Sequence, residues 1–145
     1  MESRAQTFFV GTDGSDASDM GFNVVMKDML REDIDHLVVG HISDKKKDYL
    51  PWNMRANFVA DAMEAKLMPI GQKGRYCHRE KDEGKTTKEM LWDLAEFEKA
   101  TIVCVGNHGR KGPKGELSVA GTAIEYLSLN STFPCLIIKD RKART

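Results

Sequence analysis

The chain has 145 residues, 41% of them apolar, and its 22 basic and 22 acidic side chains cancel to zero net charge. That length suits one domain, residues 1–145, able to bury roughly 70% of its unfolded surface without disulfide or metal staples. The charge balance argues against a dedicated nucleic-acid binder or an acidic disordered chain. No run of about 18 apolar residues offers a membrane span, and residues 1–7 carry no signal-peptide core, so the chain reads as soluble and cytoplasmic.

The first apolar run, Thr7–Thr12, predicts a strand. Ser15 or Asp16 then caps a helix carrying Met20, Val24, Val25 and Met29. Leu37–Ile42 is a second strand. A helix from Trp52 to Leu67 places Phe58, Val59, Ala62, Met63 and Leu67 on one face, and Pro69 and Gly71 stop it. Arg75–Arg79 is a weaker strand, and its polar flanks suit a sheet edge. Thr86–Glu98 is a helix with Met90, Leu91, Leu94 and Ala95. Thr101–Val105 is a strand, Val119–Leu129 a helix, and Cys135–Ile138 the last strand, opened by Pro134. The strands run on with little alternation, as strands covered on both faces do.

Strands alternating with helices predict an α/β doubly wound parallel sheet with right-handed crossovers. Such sheets bind ligands beyond the carboxyl ends of their strands. Cys77, Cys104 and Cys135 do not pair evenly and form no metal clip, so they read as reduced thiols, with Cys104 and Cys135 in the core. Met26, Met29, Met54, Met63, Met68 and Met90 read as core or gap fillers, and Lys45–Lys47 as a solvated loop.

Two loops at strand ends carry candidate chemistry. Gly11-Thr12-Asp13-Gly14-Ser15 places a carboxylate where it can accept bonds from an adenine amino group or a ribose hydroxyl, or serve simply as a turn and cap. Gly106-Asn107-His108-Gly109-Arg110-Lys111-Gly112-Pro113-Lys114-Gly115 holds four glycines in ten residues. They let the backbone approach anionic oxygens, and no acid stands between Glu98 and Glu116. Gly121-Thr122 follows in the first turns of the next helix, where amides favour phosphate. Gly84-Lys85-Thr86 is a helix start rather than a P-loop, because Arg79 stands where that motif needs glycine. Gly106-x-x-Gly109-x-x-Gly112 is not the dinucleotide pattern, and neither a G-x-S-x-G elbow nor an H-E-x-x-H helix is present.

These passages resemble the universal stress protein family: the opening Phe9–Ser15 with its Asp-Gly-Ser turn, the strand Leu37 to Asp44, and the stretch from Ile102 to Lys139. The resemblance implies a five-stranded parallel sheet in the order 3-2-1-4-5 with helices on both faces, the adenine nucleotide alpha hydrolase-like fold. ATP-binding members carry G-2x-G-9x-G-[ST]. Gly106, Gly109 and Gly121-Thr122 match its ends, but 11 residues rather than nine separate Gly109 from Gly121.

Carried over by position, Asp13 with Thr12 contacts the adenine or ribose side. Ile42 gives backbone and apolar contact to the base, and Gly106 lies under the ribose and α-phosphate. His108, Gly109 and Arg110 line the phosphate loop, which Gly121 and Thr122 close. The implied ligand is ATP, AMP or ADP, with Mg2+ as a bridge between phosphate oxygens. The implied assembly is a homodimer through the last strand, with no nucleic-acid or membrane partner. The leading reading is a nucleotide-binding stress or signalling protein with little or no hydrolysis, because no Walker lysine, arginine finger or water-positioning carboxylate is evident. A dimeric interaction module without nucleotide and a true nucleotide hydrolase or nucleotidyl transferase are the alternatives.

Overall fold

The computed structural model describes residues 4–47, 49–106 and 134–138. In chain order these form β1 (Thr7–Gly11), α1 (Asp16–Val24) continued by a π-helical turn (Val25–Met29), β2 (His36–Ser43), a 3-10 turn (Trp52–Met54), and α2 (Ala56–Leu67) with a 3-10 extension (Met68–Lys73). β3 (Gly74–Glu80), α3 (Thr87–Phe97), β4 (Ile102–Gly106) and β5 (Cys135–Ile138) follow. The helix expected over 119–129 lies outside the described residues.

All strand pairs are parallel, in the order β3-β2-β1-β4-β5. The register sets Gly11 beside Gly40, Val10 beside Cys104 and His41 beside His78. β3 lies at an edge, as its polar flanks imply. The α/β parallel architecture read from the alternating pattern is therefore observed.

The continuous apolar runs serve two cores. Phe8, Val10, Leu37, Val39 and Cys104 pack with Phe22 and Val25 of the first helix and with Val59, Met63 and Leu67 of α2. Their neighbours Phe9, Val38, Ile42, Cys77 and Val103 face the other way, onto Met90, Leu94 and Ala95 of α3. Phe9 is 1% exposed, so its burial stabilises the fold by about 2–3 kcal/mol. Gly40 makes that possible: a Cβ there would overlap the Phe9 ring.

The helix ends follow local chemistry. Ser15 caps α1 by accepting the Ser18 N–H, and Thr86 caps α3 by accepting the Glu89 N–H, so Gly84-Lys85-Thr86 is a helix start. α3 closes in a Schellman motif: the Ala100 N–H bonds the Ala95 carbonyl and the Lys99 N–H that of Glu96, with Lys99 at φ 57°.

Three expectations are corrected. The helix predicted from Trp52 begins at Ala56, because the chain first makes a separate 3-10 turn that Arg55, in extended backbone, divides from α2. Phe58 does not join the buried face of α2. It is exposed and stacks edge-on with Trp52, ring centroids 4.5 Å apart. Met68 is exposed rather than a core filler, since the helix has already given way to its 3-10 extension there. Cys104 is fully buried as expected, and Cys77 and Cys104 form no disulfide.

Candidate functional site

The carboxyl ends of β1, β2 and β4 meet where the strand order reverses: β1 runs on leftward into β2 and β3, and α3 returns the chain to β4 on its other side. An open parallel sheet presents its ligand crevice at such a point. Thr12 and Asp13 follow β1, Ile42 stands near the end of β2, and Gly106 ends β4, two residues past the Val10–Cys104 pair. Those four predicted residues are brought together at one end of the sheet. His108, Gly109, Arg110, Gly121 and Thr122 lie outside the described residues.

The first loop is built by hydroxyls. The Ser18 hydroxyl donates to the Ser15 carbonyl at 2.9 Å, so the Thr12 hydroxyl is the donor in its 3.1 Å bond to Ser18 Oγ. Thr12 Oγ1 also accepts the Gly14 N–H at 3.3 Å, while the Thr12 N–H bonds the Gly40 carbonyl at 2.9 Å. Thr12 is buried, and its hydroxyl shapes the turn. Asp13 is half-buried, and its Oδ1 accepts the Ser15 N–H at 2.9 Å in an Asx turn. Among the described residues Oδ1 is the engaged oxygen of that carboxylate.

Gly14 takes φ 82°, a conformation that glycine adopts without strain. Its α-carbon is pressed against the Trp52–Met54 turn: a Cβ would collide with the Asn53 carbonyl and reach Met54 Cα and Val59 Cγ2 at 3.0 Å. Asn53 Nδ2 donates to the Gly14 carbonyl at 3.2 Å.

At Ile42 the side chain is buried against the α3 face, among Phe9, Val38 and Met90. The expected apolar contact to a base is thus occupied by the core, and the backbone is what this position offers. Strand alternation gives its direction. The Gly40 carbonyl bonds β1-side Thr12 and the Ser43 carbonyl bonds Lys81 beyond β3, so Ile42 N–H and C=O turn toward the β1 side, past the last Gly11–Gly40 pair.

Beside this position the structure assembles a cluster that the sequence did not reveal. His41, 4% exposed, lies on the α2 face next to its register partner His78, ring centroids 5.6 Å apart. His41 Nδ1 is 3.4 Å from the Tyr76 hydroxyl, and His78 Nε2 is 2.6 Å from Ser43 Oγ. Burial, then repulsion from His78, pushes the His41 imidazole down to about 4, against the pull of the Asp13 carboxylate. Burial first, with Glu64 adding, pushes Tyr76 up to about 12. His41 is therefore a neutral imidazole at pH 7. Its signal in the sequence was a polar residue inside an apolar strand. Among the described residues no three histidines, cysteines or carboxylates are grouped as a metal would need, and no helix is long and apolar enough to cross a membrane.

The model of the universal stress protein family matches residues 5–139. The chain belongs to the universal stress protein family. A universal stress protein family structure from Burkholderia pseudomallei superposes with a TM-score of 0.66 at 20% identity, covering 95% of this chain and 98% of that one. A universal stress protein solved in complex with cAMP gives 0.60 at 20% identity, over 94% and 98% of the two chains. A universal stress protein family member from Arabidopsis thaliana, solved with AMP bound, gives 0.65 at 14% identity, over 97% and 95%. These likenesses are of fold, the adenine nucleotide alpha hydrolase-like fold. Comparison with curated proteins gave no match.

Proposed function

We propose that this universal stress protein binds an adenine nucleotide at the carboxyl end of its sheet. The observation that carries the proposal is the convergence of the Asp13 carboxylate, the Ile42 backbone and the Gly106 end of β4 at the point where strand order reverses. Two structural relatives, one solved with cAMP and one with AMP, support the ligand class. In this reading Asp13 accepts from the ribose or adenine and Ile42 reads the base through its backbone. Gly106, His108, Gly109 and Arg110 wrap the ribose and phosphates, and Gly121 and Thr122 close the phosphate end. ATP, with AMP or ADP as alternatives, is the ligand; Mg2+, when bound with it, would offset the charge of its phosphates. The chain works as a single-domain homodimer in the cytoplasm, in a stress-response or signalling role. Hydrolysis is slow or absent, because the sequence supplies neither a Walker lysine nor an evident water-positioning carboxylate.

Equilibrium binding of labelled ATP, with and without Mg2+, tests this. Saturable binding is expected, and Gly109→Val is expected to remove it by filling the space of a phosphate. No binding at millimolar ATP with Mg2+ would overturn the proposal in favour of a dimeric interaction module of the same fold, the reading that the 11-residue spacing favours. ATP turnover by the wild type is expected to equal that of the Gly109→Val control; a higher rate would mark an enzyme.

A further inference from the structure

The Trp52–Met54 turn stands 39 residues from Gly14 in sequence, yet it is seated directly on the nucleotide loop. The turn is itself fastened, with the Met54 N–H bonding the Pro51 carbonyl at 2.9 Å and the Arg55 N–H that of Trp52 at 3.3 Å. Met54 and Val59 are buried beneath it, which anchors its depth. Two contacts reach Gly14 from this platform: the Asn53 backbone fills the place of a Cβ, and Asn53 Nδ2 holds the Gly14 carbonyl at 3.2 Å. On the other side of the same peptide unit, the Ser15 N–H donates to Asp13 Oδ1 at 2.9 Å. The Gly14–Ser15 peptide is thus gripped at its oxygen by Asn53 and at its nitrogen by Asp13.

We propose that Asn53 is a positioning residue for the nucleotide site: by fixing the Gly14–Ser15 peptide, it sets the direction of the Asp13 carboxylate. The assignment rests on the nucleotide-binding reading above. Without the amide, a peptide next to a glycine at φ 82° rotates at little steric cost. The Ser15 N–H then leaves Asp13, and the carboxylate loses its orientation. A residue that acts this way changes affinity for the adenosine end of the ligand and leaves the phosphate end untouched.

The test measures adenosine and ATP binding, with Mg2+, to the wild type, Asn53→Ala and Asn53→Asp, alongside Tm. Both variants lack the donor, and only the second adds charge. The expected result is a five- to tenfold weakening, roughly what one hydrogen bond supplies, by the same factor for adenosine and ATP and in both variants. Tm should fall by no more than about 5 °C. Wild-type affinity in both variants would overturn the assignment. So would a loss confined to ATP, which would report charge instead of geometry, or a Tm drop beyond about 8 °C, which would make Asn53 a general support of the fold. If the wild type binds neither ligand, the nucleotide reading fails and takes this assignment with it, a result distinct from a wild type that binds and variants that match it.

Discussion

Two aspartates at opposite ends of the sheet show what separates structure from site. Asp35, just before β2 at the amino end, is 1% exposed and saturated. Its oxygens accept the Gln6 N–H at 2.9 Å, the Arg31 N–H at 3.0 Å, and Arg31 Nε and a terminal guanidinium nitrogen at 3.0 and 2.8 Å. The same guanidinium bonds the Arg4 carbonyl, so one ion pair ties the start of the chain to the turn before β2. Asp13, just after β1 at the carboxyl end, is half-buried and, among the described residues, accepts one backbone N–H. A buried charge with its hydrogen-bonding capacity filled serves the fold, and the carboxylate at the strand-order reversal is the one the proposed nucleotide site uses.

The comparison breaks most visibly at Asp35. Asp35→Ala strands two backbone N–H groups and the Arg31 guanidinium, and urea unfolding should show a loss of about 3 kcal/mol. Gly14→Ala comes next, with strain at φ 82° and a collision with the Asn53 backbone costing about 2 kcal/mol in the same experiment. Asp13→Ala should change stability by less than about 1 kcal/mol while weakening ATP binding at least tenfold, read by calorimetry. An Asp13→Ala protein as destabilised as Asp35→Ala would erase the distinction.

The two ends also separate in pH. Arg31, mainly through its side-chain hydrogen bonds, holds the Asp35 carboxyl down at about 2 from its ordinary 3.8. A depressed carboxyl stabilises above its unfolded value, so its contribution is complete above about 4 and is lost as pH falls toward 2. His41 is the counterpart at the carboxyl end. Its folded value of about 4 lies below the ordinary 6.5, so the unfolded chain binds the extra proton between them. Stability therefore falls as pH drops from about 6.5 to 4. Unfolding curves across pH should show two windows, with His41→Gln flattening the upper one and Asp35→Asn the lower.

Much of this architecture is legible in the sequence because both-face burial leaves unbroken runs such as Phe8-Phe9-Val10 and Leu37-Val38-Val39. Ser15 and Thr86 are equally legible, since a cap acts on residues three positions away. Asp35 and Asn53 are not. Nothing local marks Asp35, in a connection, or Asn53, within the stretch expected to be helical, because their partners Gln6 and Gly14 stand 29 and 39 residues away. Phe58 misled for a related reason: it fits the helical period of α2, yet its ring packs against Trp52, which the break at Arg55 sets outside the helix. Within the site, Asp13 and Gly106 were marked by their place after strands. The burial of the Ile42 side chain followed only from which face α3 covers.

Cys77 sits under that helix. Its thiol donates to Glu98 Oε1 at 3.0 Å, and Glu98 also pairs with Arg75. Burial, then the bond to Glu98, pushes the thiol up to about 11. At pH 7 only about one molecule in ten thousand then carries the thiolate that attacks an alkylating reagent. Iodoacetamide will reach this sulfur chiefly in molecules whose α3 has lifted from the sheet. The alkylation rate of Cys77, followed by mass spectrometry, thus becomes a clock for how often one face of the sheet uncovers itself.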